Sequence, residues 1–411
     1  MKAARECLNT GEATTQAEKV LTMHYRAKLK ELDAEDFDTL LISMRELLER
    51  KTLRLKGLMV DEYQDSGSHD HAIYGMIQAE NRFFVGDPDQ AIYGFRGGRL
   101  ENIMEASSQP GTFTGFLEEN FRCGSEVCDA AQAMIRKNRN RFDKKTVSAA
   151  GHPGKVARKS FVNEYDEAAG VIAFAKKVTT PGTTTAILCR YNADKDFIQE
   201  QLTAAEVSHY RNEKPKPPGD LRLALAALTL VTNPDHPLAG QTFIREKWGA
   251  GELARRVAVA MADKANSLRP LEPATAETGL LQWMEGIGFS QEMRKMLLAA
   301  SEGKTHWTTR ATEIALKLRQ VMEETPAAPE EGIVVMTCHA SKGLEFDNVA
   351  VINCNAKAYG RNPEEDRRVL FVAMTRARKN LFLTWSETRR NVWTKAYEPQ
   401  SPSPFLADTR P

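Results

Sequence analysis

The sequence predicts an α/β fold, and three observations carry that expectation. Short apolar runs end in acidic residues: Gly57-Leu58-Met59-Val60 leads into Asp61-Glu62, and Arg82-Phe83-Phe84-Val85 into Gly86-Asp87. Stretches with helical spacing separate such runs, and the alternation resumes after Phe121. Acidic groups at strand C-termini also lie where ligands collect in open α/β sheets.

Along the chain, residues 1 to about 50 read as helices, with Leu40, Leu41, Met44, Leu47 and Leu48 at i, i+1, i+4, i+7 and i+8. That stripe predicts a helix packed on a core. A second α/β unit starts near the apolar strand Thr185-Ala186-Ile187-Leu188-Cys189. The Pro-rich break Lys214-Pro215-Lys216-Pro217-Pro218-Gly219 and the segment Thr325-Pro326-Ala327-Ala328-Pro329 bracket a mostly helical insertion. Strands follow at Ile333 to Met336 and Val349 to Ile352, then a helix from Glu365 to Arg378 and a strand at Leu381 to Leu383. The end, Glu398-Pro399-Gln400-Ser401-Pro402-Ser403-Pro404, has the composition of a disordered tail.

Composition narrows the function classes. With 411 residues, 42% hydrophobic and 27% charged, the chain suits two or three globular domains. Its 56 Lys plus Arg balance 55 Asp plus Glu, so any nucleic-acid site must be a local groove rather than a global basic field. The six cysteines are scattered, and the close pair Cys123 and Cys128 has no second pair to complete a zinc site, so reduced thiols are expected. The N-terminus has no apolar signal region and no window approaches a membrane span, which predicts a cytoplasmic protein without membrane contact.

Two loops carry chemistry. In Val60-Asp61-Glu62-Tyr63-Gln64-Asp65, one carboxylate can hold Mg²⁺ while its neighbour orients a water against a phosphate, although a bare Asp-Glu pair more often marks a solvated turn. The second loop is Gly86-Asp87-Pro88-Asp89-Gln90-Ala91-Ile92-Tyr93-Gly94-Phe95-Arg96-Gly97-Gly98. Its amide can sense a γ-phosphate, while Tyr93, Phe95 and Arg96 can meet a single strand by stacking and charge. An aromatic turn packed on the core is the competing reading.

These loops resemble the second and third motifs of the UvrD/Rep/PcrA superfamily-one DNA helicases, and four further stretches extend the likeness in family order. They are Leu117 to Arg122, Thr185 to Asn192, Thr337-Cys338-His339-Ala340-Ser341-Lys342-Gly343-Leu344-Glu345-Phe346, and Glu365 to Arg378. The resemblance implies RecA-like P-loop NTPase motor domains, ATP and Mg²⁺ as cofactors, single-stranded DNA as partner, and movement from 3′ to 5′. It makes Asp61 the Mg²⁺ ligand, Glu62 the water-activating residue and Gln90 the γ-phosphate sensor. Arg122 and Arg376 become the arginines that reach the γ-phosphate. Phe121, usually Tyr in the family, stacks on adenine, and Glu345 lies near the sugar with Lys342 beside it. Tyr93, Phe95 (usually Trp), Arg96, Thr337 and His339 fall on the DNA track. Read alone, His339 also suits a structural histidine. Arg376, with Arg367, Arg368, Arg378 and Lys379, also suits a solvated helix face.

The family's phosphate loop, Gly-x-x-x-x-Gly-Lys-Ser/Thr, has no counterpart among the 411 residues. Gly303-Lys304-Thr305 has Leu298 in place of the first glycine and follows no strand. The expected organisation is an incomplete first motor domain (1–120), a second motor domain (121–211 with 330–395), a reduced helical insertion (212–329) and a disordered tail (396–411). Function then divides between a motor ATPase that takes its Walker A loop from a second polypeptide or missing segment and an ATP-silent DNA- or partner-binding scaffold. A decayed product with exposed sheet edges is the third possibility.

Overall fold

The computed structural model of the chain describes residues 16–31, 35–94, 97–211, 220–233, 236–249, 280–301, 310–323, 331–390 and 396–409. It divides into two compact units, Met1–Ala27 with Glu35–Asn212 and Ala328–Pro411, and Lys28–Ala34 with Glu213–Ala327. The fold is mixed α/β with a parallel sheet.

After α1 (Gln16–Glu31) comes α2 (Phe37–Arg50), which starts on a reciprocal cap: Thr39 N donates to Asp36 Oδ1 and Asp36 N to Thr39 Oγ1, both at 2.8 Å. Strand β1 (Arg54–Val60), α3 (Ser68–Met76), β2 (Gln78–Phe84) and α4 (Leu100–Ser108) follow. β1 and β2 pair in parallel as a two-stranded sheet with Met59 opposite Phe83 and Val60 opposite Phe84. Parallel strands are normally covered on both faces. Here Phe84 stacks on Tyr63 with centroids 4.4 Å apart, whereas on the other face Met59 is 81% exposed and Phe83 62%. The predicted α2 helix forms, but Leu40 and Leu47 of its apolar stripe are exposed rather than packed on a core.

The chain continues through β3 (Glu119–Asn120), α5 (Ser125–Ile135), β4 (Val147–Ser148), β5 (Lys155–Phe161), α6 (Glu164–Val178), β6 (Thr184–Cys189), α7 (Asn192–Ala204) and β7 (Tyr210–Arg211). The described residues of the other compact unit are helical: α8 (Leu221–Thr232), α9 (Pro237–Trp248), α10 (Leu280–Ile287), α11 (Gln291–Ser301) and α12 (Ala311–Glu323), around Leu228, Phe243, Met284, Leu297 and Leu318. The first unit resumes with β8 (Gly332–Thr337), β9 (Phe346–Val351), α13 (Pro363–Met374), β10 (Ala377–Ser386), β11 (Thr388–Arg390), β12 (Tyr397–Pro399) and α14 (Phe405–Asp408).

Six of these strands form an all-parallel sheet in the order β5-β10-β9-β6-β8-β7. Successive side chains of a strand point to opposite faces. Leu188, Val334, Met336, Val349, Val351, Leu381 and Leu383 therefore pack with α5 and α13 on one side. Ile187, Val335, Ala350 and Phe382 pack with α6 and α7 on the other. Double coverage explains why the central strands read as unbroken apolar runs.

Two expectations need correction. Helix α13 ends at Met374, not Arg378, because Ala377 and Arg378 already belong to β10. The end of the chain, expected to be disordered, forms β12 and α14. It buries Phe405 and Leu406 in the core and pairs Asp408 with Arg367 at 2.6 Å. Its Pro-rich composition conceals the two apolar residues that anchor it. Phe95, Arg96, the Lys214–Gly219 break, Gly303-Lys304-Thr305 and Thr325–Pro329 lie outside the described residues. No helix among the described residues is long and apolar enough to cross a membrane.

Candidate functional site

The two parallel strands deliver their acidic loops side by side. Asp61 and Glu62 are exposed at the end of β1, and Glu62 adopts φ 50° and ψ 38°, the left-handed region that a non-glycine residue rarely occupies. Such backbone costs on the order of 1–3 kcal/mol and persists where the surroundings impose it. Here the Glu62 amide donates to Asp61 Oδ1 at 2.8 Å, and buried Gln64 grips the loop from below. Its Nε2 donates to the Glu62 carboxylate, while its Oε1 accepts from the Asp87 amide at 2.9 Å. Gly86 permits this approach, since a Cβ there would stand 2.5 Å from Gln64 Oε1.

Gln90 sits on the short turn Pro88–Gln90. Its Nε2 donates to Asp87 Oδ2 at 2.8 Å, which leaves Oε1 to accept from Arg376 Nη2 at 3.4 Å. Arg376 follows α13 and is only 2% exposed, so it is not part of a solvated face. Its Nε donates to Val372 O at 3.0 Å and its Nη1 to Leu344 O at 3.1 Å. Burial, and then the nearby Arg122 charge, bring its pKa down to about 10, so it stays cationic at neutral pH. The other basic residues of that run are paired: Arg368 with Glu364, Arg378 with Glu345 and Lys379 with Asp347.

Lys342 joins the two sets. Its Nζ lies 2.5 Å from Asp65 Oδ2, 3.3 Å from Glu62 Oε2, 3.2 Å from Gln90 O and 5.2 Å from the Tyr93 ring centre. The structure thus brings Glu62, Gln90, Lys342 and Arg376 together. Arg122 belongs to a neighbouring cluster, with its Nε 2.5 Å from Glu345 Oε2, and the arginines Arg122 and Arg378 hold the Glu345 carboxyl below its usual range. Phe121 presents its ring at 74% exposure.

Of the DNA-track residues, Tyr93 Oη donates to His339 O at 3.2 Å, with the two rings 6.2 Å apart, and Thr337 Oγ1 accepts from the Ala340 amide at 3.2 Å. The sequence reading missed Gln64, Asp65 and Arg378 as members of these clusters. Gln64 and Asp65 flank Glu62 closely enough to have been suspected, but the Arg378–Glu345 pairing spans 33 positions and has no local signal. The five described cysteines are free and buried, and desolvation pushes the thiols of Cys123 and Cys338 up to about 11.

The chain is similar to known proteins over most of its length. The description "UvrD/REP helicase N-terminal domain" matches residues 2–111, and "UvrD-like helicase C-terminal domain" matches 116–241 and 300–388. The ATP-dependent DNA helicase PcrA of Leuconostoc citreum is 27% identical over 94% of this chain, and DNA helicase II of Escherichia coli (strain K12) is 26% identical over 91%. The chain spans 62% of the length of each of these relatives. For the ATP-dependent DNA helicase Rep of Escherichia coli (strain K12), identity is 25% over 93% of this chain and 69% of that protein. With the C-terminal description alone covering more than half of its residues, the chain belongs to the UvrD/Rep-type DNA helicase family.

Proposed function

We propose that this chain works as part of an ATP-dependent single-stranded DNA translocase and helicase moving 3′ to 5′, completed by a phosphate-binding loop from another polypeptide or segment. The observation that carries the reading is the linkage of Glu62 through Lys342 to Gln90 and on to Arg376, an exposed carboxylate, an oriented amide and a buried cation. A scaffold that only binds partners has no physical need for that combination. The all-parallel six-stranded sheet supports treating 121–211 with 330–395 as a RecA-like motor domain and 212–329 as its helical insertion. The exposed Met59 and Phe83 face supports an added segment that covers the two-stranded sheet.

In this reading ATP with Mg²⁺ supplies the phosphoanhydride whose hydrolysis drives movement. Asp61 suits the metal because Mg²⁺ keeps most of its waters and takes one or two carboxylates beside the phosphates. Glu62 accepts the proton of the attacking water, with its carboxylate held by Gln64 Nε2 and 3.3 Å from Lys342 Nζ. Gln90 reports the γ-phosphate to its own loop, while Arg376 and Arg122 neutralise charge that develops there. Phe121 offers an exposed ring to the base and Glu345 suits the sugar side, while Lys342 sits among Glu62, Asp65 and Gln90.

Tyr93, Phe95, Arg96, Thr337 and His339 form the DNA track, with binding of little sequence preference that weakens as salt rises. Phe95→Ala is expected to weaken oligo-dT binding by about 1–3 kcal/mol, the worth of one stacked base. A fluorescence-anisotropy titration that superimposes on the parent curve removes Phe95 from the track.

A further inference from the structure

Behind Gln90 lies a buried charge cluster that the catalytic roles do not use. Asp89 is completely buried, and Arg141 grips it with both prongs, Nε to Oδ1 at 3.0 Å and Nη2 to Oδ2 at 2.8 Å. Lys144 Nζ lies 2.5 Å from Asp87 Oδ1 and 3.7 Å from Asp89 Oδ2. Both cations come from the segment that follows α5, more than fifty positions along the chain. Asp87 in turn accepts from the Asp89 amide at 3.0 Å and from Gln90 Nε2 at 2.8 Å. Burial acts against the charged form of Asp87, but Lys144 together with the hydrogen bonds from Gln90 and the Asp89 amide outweighs it, so its pKa falls below the ordinary value.

We propose that Arg141 and Lys144 are positioning residues that clamp the Asp87–Asp89 turn and thereby fix the Gln90 carboxamide. The chain of contacts is direct. Lys144 helps keep Asp87 ionised, Asp87 Oδ2 accepts a hydrogen bond from Gln90 Nε2, and that orientation turns the Gln90 oxygen toward Arg376. Without Lys144, the part-buried Asp87 carboxylate stands beside the buried Asp89 with Arg141 alone to offset the two charges, and the turn relieves the repulsion by opening or by taking up a proton. The same turn leads into Tyr93, so the clamp also sets the start of the proposed DNA track. That second consequence rests on the function proposed above, whereas the clamp itself does not.

The test uses hydrogen exchange on the full chain as parent, Lys144→Met, Lys144→Arg and Arg141→Lys, with oligo-dT titration in parallel. In Lys144→Met, peptides covering 86–94 should exchange about tenfold faster while α5 and the six-stranded sheet keep their protection. Lys144→Arg should restore the parent pattern. Arg141→Lys should fail to do so, because a point charge cannot reproduce the two-pronged contact. Oligo-dT affinity should fall by about fivefold in Lys144→Met and recover in Lys144→Arg. Unchanged exchange at 86–94, loss of protection spread evenly over the unit, or a Lys144→Arg variant as open as Lys144→Met each overturns the clamp. A parent chain that binds no oligo-dT instead counts against the DNA-binding reading, and exchange alone then decides the clamp.

Discussion

Arg376→Ala, made in the chain completed with a phosphate-loop segment, is expected to lower kcat for DNA-stimulated ATP hydrolysis by about 10³–10⁵-fold, the range attributed to an arginine finger. The expectation rests on placement. A guanidinium that is almost fully buried, held by Val372 O and Leu344 O and turned toward Gln90 Oε1, is fixed before nucleotide arrives. Fixed charge in a water-poor site is worth far more to a transition state than a mobile one. Because the alanine variant also leaves those carbonyls without their donor, some loss of stability is expected. Arg376→Lys separates the two effects: it retains a cation but not the fork, so it should melt near the parent temperature yet hydrolyse slowly. Steady-state ATPase assays beside thermal melts check this, and an Arg376→Ala variant with parental kcat removes Arg376 from the reaction.

The chain alone should behave differently from the completed protein. Asp61, Gln90, Lys342, the arginines and Phe121 would hold a nucleotide without the glycine-rich amides and lysine of the Gly-x-x-x-x-Gly-Lys pattern around its phosphates. Calorimetric titration should therefore find ATP binding no tighter than about 1 mM, equivalent to about −4 kcal/mol. A 3′-tailed duplex incubated with the chain and ATP should stay paired. Robust ATP-dependent strand separation by the chain alone contradicts the dependence on an added loop.

Much of this site was legible before any coordinates because its chemistry is written in contiguous motifs. Asp61 and Glu62 directly follow the apolar end of β1, Gln90 lies in the loop after β2, and parallel β1–β2 pairing places the two loops together. The central strands β6, β8 and β9 were equally legible, since double coverage makes their middle residues a continuous apolar run. β5 was not, because it is an edge strand whose exposed positions alternate with half-buried ones and carry Lys155 and Lys159. The end of α13 was misplaced for a related reason: Thr375 to Arg378 continues a helix-compatible composition while the chain has already turned into β10. The Arg141 and Lys144 clamp had no sequence signal at all, as its partners lie more than fifty residues away and ordinary basic residues in a loop read as solvated. Exposure was misjudged in α2, where periodicity predicts a buried stripe but cannot show whether anything lies against it.

The most direct measurement of the central claim is DNA-stimulated ATP hydrolysis in the chain supplied with a phosphate-loop segment, with Glu62→Gln alongside. The account predicts turnover that rises with single-stranded DNA and is lost in Glu62→Gln, whose amide cannot accept the proton of the attacking water. A correctly folded, completed protein that binds oligo-dT yet shows no ATPase activity contradicts the motor and leaves a DNA-binding scaffold in its place.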